Sequence, residues 1–91
     1  MRYLIVLEPT KAGFSVQVPD LAIITFGKTI PQAKQAAIEA IKINLETYRE
    51  VGQKVPKRRP ISTHWKNPDF TGLLFTHVDV DVHQHQEIVL A

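Results

Sequence analysis

The chain has 91 residues, the length of one small domain that leaves much of its surface exposed to solvent. Hydrophobic residues make up 44% of it and charged residues 22%, a composition typical of folded globular proteins rather than disordered ones. The absence of cysteine excludes disulfides, thiolate chemistry and cysteine-ligated zinc. No apolar run approaches the roughly 20 residues of a membrane span, and a net charge of +2 is too small to indicate nucleic-acid binding by itself, so a cytoplasmic protein is expected.

The first part of the chain predicts a three-stranded antiparallel meander. Residues 3–7 are apolar on both faces up to Glu8, as in a strand near the middle of a sheet, and the Pro and Gly of residues 9–13 supply a turn. Apolar and polar side chains alternate in residues 14–18, which is the pattern of a strand with one buried face. Residues 21–26 are β-branched and closed by a glycine, and they predict the third strand.

One long helix is predicted between Thr29 and Gly52. Thr29 is a suitable N-cap, Pro31 is tolerated in the first turn because its missing N–H would have no partner there, and Gly52 suits the position after the helix. Apolar residues recur at helical spacing along one side: Ile30, Ala33, Ala37, Ile41, Leu45 and Tyr48. The small alanines of the first half allow this helix to lie close to a sheet.

The rest of the chain predicts a connector followed by a strand region. Residues 53–69 contain three prolines and a basic cluster, so we expect an irregular connector in which Trp65 packs against the helix. Residues 70–82 predict a strand with Thr76, Val78, Val80 and Val82 on one face and His77, Asp79 and Asp81 on the other. We expect residues 87–91 either to extend this strand or to form a further short one. The expected layout is one α+β domain over residues 1–91, consisting of a β-β-β-α unit at 1–52, the connector at 53–69 and the strand region at 70–91.

Three stretches of this sequence have counterparts, in the same order, in a known family. They are a first strand reading Tyr3-Leu4-Ile5-Val6, a hairpin strand running from Gly13-Phe14 to Pro19-Asp20-Leu21, and Gly27-Lys28-Thr29 before an alanine-rich helix. Together they resemble the HicB-like antitoxin family, whose Gly-Phe/Tyr-x-x-x-x-Pro-Asp-Leu motif is intact. The family's following Pro-Gly-Cys-type turn is replaced by Ala22-Ile23-Ile24. The match covers about residues 1 to 60, and Val78-Asp79-Val80-Asp81-Val82 extends it to about residue 82.

The resemblance implies a fold, a partner and a role. The implied fold is a partial RNase H-like domain without the acidic catalytic set of true RNase H enzymes. The implied partner is a small basic HicA-like toxin that cleaves mRNA, which the antitoxin binds and neutralises without catalysis of its own. Many members of the family also carry a C-terminal ribbon-helix-helix or helix-turn-helix domain for operator DNA. Because this sequence stops at Ala91, we expect that domain to be lacking.

Acidic and imidazole side chains near the C-terminus raise the question of catalysis or metal binding. In an extended strand one face would carry His77, Asp79, Asp81, His83 and His85. Neighbours on that face are roughly 6.5 to 7 Å apart, too far for all of them to reach one ion without a bend or a second chain. A two-metal nuclease needs more converging acids than this sequence predicts, and no nucleophile elbow surrounds Ser62 and His64. A solvated polar face is favoured, with no enzyme activity, metal or cofactor, and a metal-binding protein is the least favoured alternative.

Charge is distributed unevenly along the chain. Four basic residues lie within six positions, Lys54, Lys57, Arg58 and Arg59, whereas the tail from Asp79 onward has Asp79, Asp81 and Glu87 with no Lys or Arg, which suggests a bipolar molecule and two partner-binding hypotheses. The acidic group, Asp79 and Asp81, is a candidate surface for a basic toxin, and exposed edge strands predict a homo-oligomer, either a dimer or a tetramer. The basic group, Lys57, Arg58 and Arg59, is a candidate contact for phosphates or for an acidic protein. The second hypothesis is therefore an orphan regulatory or nucleic-acid-binding module, in which Trp65 could stack on a base, although a solvated loop is the simpler interpretation.

Overall fold

The computed structural model describes residues 1–81, which form a four-stranded sheet, one long helix and one short helix. The elements in chain order are β1 (Arg2–Thr10), β2 (Gly13–Val18), β3 (Ile23–Gly27), α1 (Ile30–Glu50), α2 (Ile61–Trp65) and β4 (Leu74–Asp79). Two short 3-10 turns, Pro19–Leu21 and Pro68–Phe70, precede β3 and β4 respectively. Within the described residues no helix has the length and apolar character needed to cross a membrane.

The sheet has the order β3-β2-β1-β4, and every neighbouring pair is antiparallel. The first three strands form the predicted meander, and β4 returns to the free edge of β1, with Leu4 opposite His77 and Val6 opposite Phe75. Strand β1 therefore has a partner on each side and is a central strand, and its residues 3–7 are buried on both faces. The predicted α+β fold is confirmed.

Helix α1 covers one face of the sheet and forms the core with it. Its buried side is the middle of the predicted apolar stripe, Ala33, Ala37, Ile41 and Leu45, packed against Tyr3, Ile5, Leu7, Val16, Val18 and Val78. The approach is close at Gly27, where an added Cβ would overlap the backbone of Ala33. The ends of the predicted stripe differ, because Ile30 is exposed and Tyr48 is only half-buried.

The predicted ends of α1 are also confirmed. The Thr29 hydroxyl accepts a hydrogen bond from the backbone N–H of Gln32 at 3.2 Å, which satisfies one of the donors left free in the first turn. After the helix, Gly52 adopts a φ of +70°, a left-handed conformation that glycine takes without a steric penalty.

Residues 53–70 connect the two faces of the sheet. Val55 belongs to the core beneath α1, whereas Leu4 and Ile61 both line a groove on the opposite face, which we call the outer face. There the ring of Phe75 contacts those of Phe70 and Trp65, at centroid distances of 6.1 and 5.1 Å. The connector thus covers part of the outer face, where Leu4 and Val6 are buried.

Several predicted boundaries were wrong, each for a local reason. The third strand begins at Ile23 rather than at residue 21, because Pro19–Leu21 form a 3-10 turn and Ala22 takes a left-handed φ of 53°. Strand β4 begins at Leu74 rather than at residue 70, because a second 3-10 turn and Gly72, with a φ of +79°, come first. The connector contains α2 and is not wholly irregular. Residues 82–91, on which the end of the predicted strand and the further strand depend, lie outside the described residues.

Candidate partner-binding surface

The aspartate of the Pro-Asp-Leu motif holds the connector against one end of the sheet. Pro19 opens the 3-10 turn after β2, and the side chain of Asp20 in this turn is only 2% exposed. Its Oδ1 accepts a hydrogen bond from the backbone N–H of Arg59 at 3.2 Å and lies 2.7 Å from Nε2 of His64. Since a buried carboxylate is costly without partners, these two contacts account for its position. Asp20 therefore ties both the basic cluster and α2 to the strands.

Arg58 forms the next attachment of the connector. Its guanidinium lies over the ring of Tyr3, 5.7 Å from the centroid, and its Nη1 donates a hydrogen bond to the backbone oxygen of Arg2 at 3.1 Å. Burial raises the pKa of the Tyr3 phenol above its ordinary value; the positive charge of Arg58 opposes the rise and the negative charge of Asp20 adds to it. The phenol oxygen has no hydrogen-bond partner within the described residues. Arg58 is consequently engaged with the protein itself.

An open groove of about 580 Å³ lies between the connector and the outer face of the sheet. We call it the connector groove; its cationic lining is Arg2, Lys57, Arg58 and Arg59, and its floor includes Leu4 and Ile61, with His77 beside them. Among the residues described, the Arg–carboxylate ion pair is Arg2 with Asp79, and Asp20 is in hydrogen-bond contact with His64. Lys57 and Arg59 form no ion pair within residues 1–81, although the carboxylate of Asp20 also lines the groove.

The two predicted charge groups meet at the same end of the sheet. Asp79, the last residue of β4, accepts a hydrogen bond from Nε of Arg2 at 3.3 Å, and Arg2 in turn accepts one from Arg58 through its backbone oxygen. Both partners of the Arg2–Asp79 pair are largely exposed, at 66% and 76%, so the pair contributes little stability. The expected bipolar arrangement of Asp79 and the basic cluster is therefore wrong. Asp81 is exposed beyond the end of β4.

Trp65 occupies a different place from the one predicted. It packs on Phe75 of the outer face instead of on α1, and it remains 68% exposed. Ile61, one helical turn earlier in α2, is also exposed, at 45%. Exposed Trp side chains are unusual outside interaction surfaces, so this part of the outer face is a candidate contact region.

The described residues contain no group of three His, Cys, Asp or Glu side chains placed to hold a metal ion. His77, Asp79 and Asp81, which share one face in the sequence pattern, are all exposed. His83 and His85 of the predicted polar face, like Glu87, lie outside the described residues.

A family model described as the HicB_like antitoxin of bacterial toxin-antitoxin systems matches residues 3–89. The chain belongs to the HicB-like antitoxin family. The predicted resemblance is thereby confirmed, and it extends beyond residue 82. A Haemophilus phage HP1 protein, described as an uncharacterised 14.9 kDa protein of the rep-hol intergenic region, is 34% identical over 83 residues, which are 90% of this chain and 62% of the phage protein.

Solved structures of HicB antitoxins share the fold. The Burkholderia pseudomallei antitoxin HicB superposes with a TM-score of 0.80 at 27% identity, over 90% of this chain and 64% of HicB. The separate N-terminal domain of that HicB is covered completely, with a TM-score of 0.76 at 27% identity and again 90% of this chain. A chain of the HicA3 and HicB3 toxin-antitoxin complex matches with a TM-score of 0.77 at 23% identity, over 90% of this chain and all of that one. The chain thus spans less than two thirds of the phage protein and of the longer HicB chain.

Proposed function

We propose that this chain is a non-catalytic, cytoplasmic antitoxin that binds and neutralises a small mRNA-cleaving toxin of the HicA type. The observation that carries the proposal is the family match over residues 3–89, together with a fold that matches the whole N-terminal domain of a HicB antitoxin. The HicA3 and HicB3 complex supports it further, because a chain of this fold occurs there in a complex with its toxin.

The contacts of Asp20 and Asp79 support the proposal that the chain has no catalytic activity. Asp20 is buried and engaged by Arg59 and His64, and Asp79 is paired with Arg2. Metal-dependent phosphodiester cleavage needs several carboxylates around the ions. In the described part of the chain these acids serve other contacts and are not brought together with further ones.

We place the toxin on the free edge of β4. Within residues 1–81 this strand pairs only with β1, and the other row of its backbone donors and acceptors has no partner strand there, an edge of the kind that suits strand addition. Asp79 and Asp81 are exposed at its end, and a toxin that binds RNA has a basic surface to meet them. Charge complementarity and an open strand edge therefore favour the same location.

The test is toxin binding by a charge-reversed variant. We expect the gene beside that of this chain to encode a small basic toxin. We expect Asp79→Lys with Asp81→Lys to weaken binding of this toxin by tenfold or more, because two attractive contacts become repulsive. Isothermal titration of the purified proteins measures it. The matched control is Glu46→Lys with Glu50→Lys, which makes the same change on the exposed side of α1. Unchanged binding by the first variant, or an equal loss in the control, would refute this location.

We further propose that the chain forms a dimer or tetramer through the other edge of the sheet. Strand β3 pairs only with β2 in the described sheet, and it exposes Ile24 at 75% and Phe26 at 45%. A short edge strand with exposed apolar side chains is suited to pairing with a second copy. This arrangement leaves β4 available to the toxin.

A further inference from the structure

The connector groove and the aromatic residues beside it have no part in toxin binding on the β4 edge as proposed above. We propose that they form a binding site for single-stranded nucleic acid, with phosphates on Lys57 and Arg59 and a base on Trp65. The proposal does not depend on the antitoxin role.

The cations of the groove are fixed in place by contacts that leave two of them available. Asp20 holds the backbone of Arg59, and Arg58 is held by Tyr3 and by the backbone oxygen of Arg2. Pro56 and Pro60 flank the cluster and restrict its backbone. A connector held in this way presents the exposed side chains of Lys57 and Arg59 without the entropic cost of ordering a mobile loop.

An exposed aromatic side chain lies next along the same face. His77 lines the groove, and Phe75 lies two residues earlier on the same face of β4. The ring of Trp65 packs on that of Phe75, with 5.1 Å between the centroids. Ile61 of the groove floor and Trp65 are also one turn apart on α2. The indole is 68% exposed, so a base can stack on it while the adjoining phosphates reach the groove.

This combination favours nucleic acid over an acidic polypeptide. Proteins that bind single strands combine a cationic groove along the backbone with aromatic side chains on which bases stack. An acidic peptide would use the cations but would have no specific use for an open indole. The two classes of ligand therefore differ in what they predict for Trp65.

The experiment uses the full chain and an RNA of about 12 nucleotides, within the usual size of such a site. Trp65 is the only tryptophan, so its fluorescence reports directly on stacking. We expect saturable quenching by the RNA, with an affinity that falls as salt is raised from about 50 to 200 mM. A fluorescein label on the RNA gives the same affinity by anisotropy. No quenching and no anisotropy change would overturn the proposal.

Two variants separate the parts of the site. Lys57→Gln with Arg59→Gln is expected to weaken binding about tenfold and to reduce the slope of log affinity against log salt by about 1.4, since two phosphate contacts are lost. Trp65→Leu, followed by anisotropy, is expected to weaken binding about tenfold with the salt slope unchanged. Circular dichroism and thermal unfolding establish that each variant is folded.

The matched control is Lys42→Gln with Arg49→Gln, which removes one lysine and one arginine from the exposed side of α1. It is expected to change affinity by less than about twofold. An equal loss in this control would show attraction to net charge alone and would overturn the site. Quenching by a glutamate oligomer that competes with RNA at the same concentration would assign the groove to an acidic protein and would overturn it as well.

Discussion

At the scale of single residues, Asp20 links the most specific sequence motif to the tertiary structure. Sequence comparison draws attention to Pro-Asp-Leu but gives no reason for the aspartate, because its partners are 39 and 44 residues away in the chain. The fold brings the backbone of Arg59 and the ring of His64 to the same carboxylate oxygen. His64 was missed for the same reason, since a histidine in a polar stretch carries no local sign of burial.

Removing this carboxylate should destabilise the protein. We expect Asp20→Ala to lower the free energy of unfolding by roughly 2 to 4 kcal/mol, because it leaves His64 and the backbone N–H of Arg59 without a charged partner. Urea denaturation measures the change. Asp69→Ala, an exposed aspartate of the second 3-10 turn, is the control and should change stability by less than about 0.5 kcal/mol. A loss in Asp20→Ala no larger than that of the control would contradict the role given to Asp20.

At the scale of elements, periodicity predicted the strands and α1 well and the connector poorly. Helix α1 has 21 residues, a capping threonine and an apolar stripe with small alanines in its first half, so its local signals agree with its packing. Helix α2 has only five residues, too few to show a period, and it lies between Pro60 and Pro68. Its conformation depends on contacts such as that of His64 with Asp20, which join residues far apart in the chain and cannot be predicted from local sequence periodicity.

The proposed assembly through β3 makes a prediction at this scale. We expect the wild-type chain to be a dimer or tetramer by light scattering, and Ile24→Lys to be a monomer of 10.3 kDa, because a charge would be buried at the strand edge. Ile43→Lys places the same charge on a 65% exposed position of α1 and should leave the assembly intact. A monomeric wild type, or an Ile24→Lys variant of unchanged mass, would contradict assembly through β3.

At the scale of the whole molecule, the structure shows three distinct surfaces that could not be distinguished from the sequence alone. The β3 edge is apolar, the β4 edge ends in exposed acids, and the connector groove is basic with an open tryptophan beside it. Counting charges along the chain suggested opposite poles, but antiparallel pairing of β1 with β4 places Arg2 across from Asp79 and brings the groups together. Asp79 lies near the basic cluster because β4 pairs with β1, and this pairing is not visible in the order of charges along the chain.

The most direct test of the account is inhibition of the toxin itself. The toxin is the small basic protein that we expect the neighbouring gene to encode. It is purified, and its cleavage of a labelled mRNA is followed on a gel while this chain is added. The account predicts that cleavage stops when the chain reaches an equimolar ratio to the toxin and that the Asp79→Lys, Asp81→Lys variant requires a large excess. Cleavage that continues unchanged in the presence of excess folded wild-type chain would contradict the antitoxin function.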